Sequence, residues 1–537
     1  MSRSRVGVSG AGRPSSGGPE PTFDPGSAWR LHPKVALRLE PFGALLYHYG
    51  TRRLSFVKDP RLAQALCRLG SSPSALRACR DAGVSDAALP AHLGAIARLV
   101  TSGMVVAAPR PVRVADEAAR ELPAAPGAPA SPRPLVEHFE GGLVAPICLT
   151  WELTYACNLA CVHCLSSSGR RDPRELSAEA ASRVVDELAE LQVFYVNVGG
   201  GEPTLRPDFF DLLEYATARG VGVKFSTNGS RISEAVAERV ARLDYVDVQV
   251  SLDGATPRVN DAVRGAGSFA TALRALEALS GAGVEGLKVS VVVTRHNVDQ
   301  LDELRALAER FGAQLRLTRL RPSGRGADSW ESLRLRPAEQ RQLYDWLLAA
   351  GEGVLTGDSF FHLGAFGAKL PGLNLCGAGR VVCLIDPVGD VYACPFAIHE
   401  AFLAGNVGDP GGLRAVWEGS ECFRSLRAPE RAGGCAGCDQ AGVCRGGCVA
   451  AKFFQGLPLD GPDPECVRGH GEVAIRARPD VELPRSPADH SRWRRPGPSA
   501  RGAERVELRR RLRAHAFDPR PCETSPLVGL EEPRLGP

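Results

Sequence analysis

The sequence predicts an α/β chain built on a partial (β/α)6 barrel at residues 135–330. A small winged-helix-like domain (28–108) precedes it, and a cysteine-rich domain (331–470) follows. Three observations point to this. Strand-like and helix-like stretches alternate six times between Ile147 and Leu320. Closely spaced cysteines follow the first of those strands. Cysteines then return in a second patterned block from Cys376 to Cys466. Successive βα units imply a parallel sheet with right-handed crossovers. Such a sheet curls toward a barrel whose functional groups gather at the C-terminal strand ends. At 537 residues the chain is too long for one ordinary core.

Taken in order, residues 1–27 are rich in Gly, Ser and Pro without periodicity and are expected to be disordered. Short apolar runs follow at 35–39, 44–49 and 53–57, and Gly50-Thr51-Arg52 reads as a hairpin turn between the last two. Helical patterns lie near 60–69, 73–82 and 87–102. The Pro/Ala-rich stretch 109–134 is expected to be a semi-stiff linker that makes the folded parts on either side separate domains. The barrel strands are expected at 147–153, 194–198, 221–226, 245–251, 286–293 and 314–320. Between the first two, Val184, Leu188 and Leu191 share a helical face, with Ser177 placed as N-cap. Beyond Trp330 the alternation fades. The tail 471–537 is Arg/Pro-rich and expected to be disordered, with an amphipathic helical pattern at 504–516.

Composition narrows the function classes. The chain is 44% apolar and 23% charged, and it has no apolar run long enough to span a bilayer. Its opening residues lack the apolar segment of a secretion signal, so the cytoplasm is the expected compartment and no membrane partner is expected. The formal charge of +4 lies in the tail, where 14 Arg stand against 10 acidic residues from Gly471 onward. A dedicated nucleic-acid binder would carry its basic excess on a folded face, so no nucleic-acid partner is expected. Sixteen cysteines without an export signal argue against a disulfide framework. Cys67, Cys79, Cys148, Cys422 and Cys522 fall outside any pattern and read as ordinary thiols.

Cys157, Cys161 and Cys164 follow the first strand with C-x3-C-x2-C spacing. They supply three thiolates to a cluster of four irons that usually takes four. One iron is then open to a chelating small molecule. A zinc site prefers four closed ligands and C-x2-C pairs, and His163 is adjacent to Cys164, which makes joint ligation awkward. The second strand ends in Gly199-Gly-Gly-Glu-Pro203. Glycines there permit close approach to the backbone, and Glu202 can accept from an ammonium group; the plainer alternative is a tight turn. Ser226-Thr-Asn-Gly229 and Ser251-Leu-Asp-Gly254 end the next two strands, as ligand contacts or as simple loop caps. Arg264 and Arg319 are candidate partners for a carboxylate, or solvated arginines.

The cysteine trio together with Gly200-Gly201-Glu202 resembles the radical S-adenosylmethionine (radical SAM) enzymes. The resemblance implies that Cys157, Cys161 and Cys164 hold the catalytic cluster, whose open iron binds the amino and carboxylate groups of SAM. An electron from the cluster would then release a 5′-deoxyadenosyl radical. It also implies SAM contacts from Gly200, Gly201, Glu202, Ser226, Asn228, Ser251 and Arg264. The later pattern, Cys376, Gly389-x4-Cys394, Cys435-x2-Cys438-x5-Cys444-x3-Cys448 and Cys466, resembles the SPASM extension, which holds two auxiliary 4Fe–4S clusters. By that resemblance Cys376, Cys383, Cys394 and Cys448 hold one, and Cys435, Cys438, Cys444 and Cys466 the other. Three clusters in all are implied; two zinc sites are the plainer alternative for the second block.

The stretch from Pro134 to His470 resembles the mycofactocin radical SAM maturases. It does so in Ile147-Cys-Leu-Thr-Trp-Glu-Leu-Thr-Tyr-Ala-Cys157, Gln192-Val-Phe-Tyr-Val-Asn-Val198, Thr356-Gly-Asp-Ser-Phe-Phe-His362 and Cys383-Leu-Ile-Asp-Pro387. The front domain resembles the mycofactocin peptide-binding chaperones in Trp29-Arg-Leu-His-Pro-Lys34 and Glu40-Pro-Phe-Gly-Ala-Leu-Leu-Tyr-His-Tyr49. In the family these are usually two proteins; this chain joins them and adds the tail. The implied partners are a ribosomal precursor peptide ending in Val-Tyr and an electron donor of flavodoxin or ferredoxin type. The implied reaction is oxidative decarboxylation of the terminal Tyr, then a Val–Tyr carbon–carbon cross-link. A small sheet with an open edge can take a leader peptide as an added strand, which raises the concentration of the reacting end at the barrel. A DNA-binding winged helix is disfavoured because its helices lack a basic cluster. Two alternatives stay open: another SPASM maturase (thioether-forming or sulfatase-activating), and a non-catalytic peptide chaperone with metal staples.

Overall fold

The computed structural model describes residues 22–108, 142–356, 360–370, 375–427, 435, 437–478 and 481–486. The expectations for 1–21, the linker 109–134 and the helical pattern at 504–516 lie outside these residues. Two segments expected to be disordered are ordered where described. Residues 22–27 pack on the front domain, the Ala75 amide donating to the Ser27 carbonyl at 3.2 Å, and 471–476 continue the helix His470–Arg476.

In the front domain, β1 (Trp29–Leu31), β2 (Val35–Glu40), β3 (Gly43–His48) and β4 (Arg53–Val57) precede α1 (Pro60–Arg68), α2 (Ala75–Asp81), α3 (Leu89–Thr101) and β5 (Val105–Ala107). Strands β2, β3 and β4 form an antiparallel sheet with β3 central, and the hairpin turns at Arg52 in the left-handed region (φ 59°). The β1–β5 pair, of three residues each, was not expected from sequence because such short strands carry no resolvable period.

The barrel comprises β6 (Cys148–Thr154), β7 (Tyr195–Gly200), β8 (Gly222–Thr227), β9 (Val246–Ser251), β10 (Leu287–Val293) and β11 (Gln314–Arg319), all parallel and in sequential order. Alternate side chains point to opposite faces. Thus Trp151, Leu153, Val196, Val198 and Val223 pack against α4 (Ala178–Glu190) and α5 (Phe209–Ala218). The opposite, concave face receives Thr150, Glu152, Asn197, Lys224, Gln249, Ser290 and Arg316. Ser177 caps α4 as expected, accepting from the Ala180 amide at 3.2 Å. The sheet also runs further than expected. β12 (Val382–Ile385) pairs in parallel with β6, and β13 (Asp390–Tyr392) and β14 (Leu403–Asn406) extend it in antiparallel fashion.

The separation expected of the front domain is not observed, because β3 is buried on both faces. Ala44 and Leu46 join the front domain's own core, while Leu45, Tyr47 and Tyr49 join the barrel's. Tyr47 stacks on Phe194 (ring centroids 5.4 Å apart), and Tyr49 meets Tyr245 at 4.6 Å. The Tyr49 hydroxyl donates to the Gly220 carbonyl at 3.1 Å. Arg38, ion-paired with Glu40 at 2.8 Å, donates to the carbonyls of Pro146 (2.7 Å) and Ala145 (2.8 Å). Arg52 binds Asp247. All these barrel residues sit at or just before the N-terminal ends of β6–β9. The front domain therefore covers the barrel floor, at the far end from Cys157, Cys161 and Cys164.

Candidate active site at the C-terminal strand ends

The cysteine loop leaves β6 and folds over the end of β7. The Gly201 amide donates to the Thr154 carbonyl (2.7 Å) and the Glu202 amide to the Ala156 carbonyl (2.8 Å). A Cβ on Gly201 would lie 2.0 Å from the Ala156 oxygen, and Gly200 has φ 106° with the Thr154 oxygen 2.4 Å from an added Cβ. The cysteine loop's own backbone therefore requires glycine at both positions. Arg325 clamps the loop's other end, donating from Nε to the Cys161 carbonyl and from its amide to the Cys164 carbonyl, both at 2.9 Å. The three thiols are half-buried. Burial, with Glu202, Cys161 and Cys164 adding to it, pushes Cys157 up to about 11. Three soft donors on one loop fit an iron–sulfur cluster, since binding a metal to such thiols drives off the protons that burial retains. The loop's histidine is already engaged, because His163 Nε2 lies 2.5 Å from an Asp253 oxygen.

Asp253, fully buried just beyond β9, organises this end of the barrel. It also accepts from the Val292 amide (2.7 Å) and lies 2.7 Å from Arg264 Nε. Burial alone would raise its pKa; Arg264, then His163, outweigh that and hold it well below the usual carboxylate range. Arg264, expected to contact SAM, stands here buried as the ion-pair partner of Asp253. Glu202 is 1% exposed and accepts from Thr204 Oγ1 (2.5 Å), Thr227 Oγ1 (2.8 Å) and the Asn228 amide (2.7 Å). Asn228 Nδ2 donates to Asn158 in the cysteine loop at 2.9 Å. Ser226 and Ser251 stand on the concave side of neighbouring strand ends, both half-buried. The structure thus brings Glu202, Ser226, Asn228 and Ser251 to the cysteine loop's end of the barrel.

In the C-terminal block, Cys435, Cys438, Cys444 and Cys466 line one pocket together with His362 and Asp463. This four-thiol lining fits a closed cluster. His362 carries no sequence pattern of its own, yet it is buried with Nδ1 lacking a hydrogen-bond partner. Cys394 has Cys448 and Cys376 as neighbours, and burial, then those two, raises its thiol. The expected fourth member, Cys383, stands on β12. It is fully buried there beside Cys148 and Arg427. Arg319 departs from expectation. Asp463 and Glu465 grip its guanidinium, and Asp463 further accepts from the Cys448 amide at 2.7 Å. It fastens the cysteine-rich block to β11 and is not free for a substrate.

Three segments match known families: residues 28–106 the peptide chaperone MftB family, 151–308 the radical SAM superfamily, and 376–439 the SPASM iron–sulfur cluster-binding domain. The chain is 67% identical over 368 residues to the mycofactocin maturase MftC of Mycolicibacterium smegmatis, covering 68% of this chain and 93% of that protein. The identity to MftC of Mycobacterium tuberculosis H37Rv is also 67%, over 68% of this chain and 94% of that one. Among solved structures, Streptococcus suis SuiB bound to its precursor peptide SuiA shares the fold. The TM-score is 0.60 at 16% identity, covering 82% of this chain and 99% of that one.

Fold and site together define a radical SAM maturase with a SPASM domain and an N-terminal peptide chaperone domain. Within that class, the chain belongs to the mycofactocin maturase MftC family.

Proposed function

We propose that this chain matures a ribosomal precursor peptide ending in Val-Tyr, first by oxidative decarboxylation of the Tyr and then by a Val–Tyr carbon–carbon cross-link. The observation that supports it most is the 67% identity to MftC over 93% of that protein, on a chain that carries its own chaperone domain. When bound to the thiolates of Cys157, Cys161 and Cys164, a SAM-loaded cluster would supply the radical chemistry for hydrogen abstraction at the tyrosine Cβ. In net terms the peptide would lose that hydrogen, carbon dioxide and one electron, leaving an unsaturated residue.

The chain's own residues hold and shield. Cys157, Cys161 and Cys164 present three thiolates and leave one coordination position for SAM. Glu202, with Gly200, Gly201, Ser226, Asn228 and Ser251, forms the SAM-facing rim. Cys435, Cys438, Cys444 and Cys466 hold one auxiliary cluster. Cys376, Cys394 and Cys448 hold the other with three thiolates, giving three clusters that pass electrons. An outside flavodoxin- or ferredoxin-type donor supplies the first electron. The front domain, 28–108, takes the leader, either outer edge of its three-stranded sheet being free of a paired strand among the described residues.

The test is mass spectrometry of the precursor after anaerobic incubation with SAM and reductant. Loss of the mass of formic acid (carbon dioxide plus two hydrogens) is expected. An unchanged precursor alongside abundant 5′-deoxyadenosine would refute the reaction.

A further inference from the structure

Among the described residues, four of the six buried guanidinium groups have a carboxylate: Arg38 has Glu40, Arg206 has Asp208, Arg264 has Asp253 and Arg319 has Asp463. The other two, Arg321 and Arg427, rest on backbone carbonyls and aromatic rings. Arg316, half-buried on the barrel wall, has no carboxylate either. It lies on β11 between Leu315 and Leu317, both buried toward the helices, so its side chain enters the concave face. Its one side-chain hydrogen bond is from Nη1 to Ser290 Oγ at 3.3 Å, and no carboxylate among the described residues lies within ion-pair distance. Lys224 on β8 is also without a carboxylate, its ammonium 3.3 Å from the centre of the Tyr195 ring. The nearby acid, Asp247, is shared by Lys288 (2.6 Å) and Arg52. Two further polar atoms on this wall, Glu152 Oε2 and Gln249 Oε1, are buried without a partner, on residues 4% exposed each. The wall is therefore polar, enclosed and short of negative charge.

The register sets the height of Arg316. Ser290 pairs with Arg316 on one side and with Ser251 on the other. Arg316 therefore stands level with the strand end expected to meet SAM, two strand spacings away, about 10 Å. A tyrosine residue fits that gap with its Cβ toward SAM and its carboxylate toward Arg316. The planar guanidinium fork matches a carboxylate in two-point contact.

We propose that Arg316 is the anchor for the α-carboxylate of the peptide's C-terminal residue. This rests on the reading that the C-terminal residue is the one processed. It makes a free C-terminus a condition of recognition and holds the group to be lost as carbon dioxide at a fixed angle to the Cβ under attack.

The test uses the full chain reconstituted anaerobically, with a fluorescent leaderless peptide ending in Val-Tyr, prepared as acid and as C-terminal amide. In fluorescence anisotropy the wild type should bind the acid at least about tenfold more tightly than the amide. R316Q should lose that preference by weakening only the acid, and R316K should keep part of it. R316Q should melt no lower than wild type, because a half-buried cation without a counter-charge is removed. With full-length precursor as the acid, kcat/KM for formic-acid loss should fall about tenfold in R316Q, mostly through KM. Equal weakening of both peptides, no acid preference in the wild type, or a clear drop in melting temperature would overturn the proposal. Formic-acid loss in wild type and R316Q alike would sink the anchor and leave the reaction standing. Acid preference with no mass change would sink the reaction and leave the anchor.

Discussion

The two ends of the barrel are built on opposite electrostatic plans. At the mouth, charge is closed in on itself. Asp253 takes His163 and Arg264, Glu202 takes Thr204, Thr227 and the Asn228 amide, and Arg319 takes Asp463. On the wall that runs from there to the floor, Arg316, level with Ser251, has only the Ser290 hydroxyl among the described residues, Lys224 has the Tyr195 ring, and Asp247 serves two cations. The contrast teaches where to look for what arrives. A mouth with its charges satisfied is a rigid frame for three thiols, whereas a wall with a surplus of one sign is prepared for an incoming group.

The strongest way to break this contrast is at the thiols. Replacing Cys157, Cys161 and Cys164 by Ala should abolish 5′-deoxyadenosine formation by chromatography while the fold, by circular dichroism, persists. Next is D253N, which strips Arg264 of its counter-charge in a dry site. A loss of about 3 kcal/mol is expected in chemical denaturation, together with fewer irons per chain. At the floor, Y47A removes a stacked ring from the domain junction and should cost about 3 kcal/mol. The expected signature is a separate, earlier melting transition and a fall in precursor turnover that exceeds any fall in peptide-independent SAM cleavage.

A smaller effect is expected at Glu152. Burial, then Asp386, pushes its carboxyl up to about 8, while in the unfolded chain it titrates near its ordinary value. Between those values the unfolded state ionises first, so the native state loses stability as pH rises from about 5 to 8. E152Q removes that loss. Its melting temperature should match wild type near pH 4 and exceed it at pH 8, by an amount worth about 1 kcal/mol or more. Smallest of all is C383A, which should leave iron content unchanged, whereas C394A should lose about four irons.

Much of this was legible in the sequence. The six barrel strands begin and end within two residues of their expected limits, because their apolar residues alternate with polar ones at period two between helical stretches. The cysteine trio, Glu202 and Asn228 were found by their position at strand ends. The partners of Arg319 were not, since Asp463 lies 144 residues away and no local pattern links them. Cys383 fits the spacing of a ligand, but spacing carries no information about which face of β12 it takes. The docking of the front domain did leave a trace. In 44–49 the apolar run does not alternate, as expected for a strand covered on both sides. Arg316 and Lys224 left none, because a lone cation in a strand looks the same whether or not a counter-charge awaits it.

The placement of the chaperone domain on the floor makes the barrel a measuring stick for its substrate. Six-residue strands separate floor from mouth by about 20 Å. A precursor gripped by the front domain must therefore bridge that span, at least about six extended residues, before its last residue can reach the thiol end. Trimming the segment between leader and terminus below that length should yield a peptide that is held firmly and never transformed.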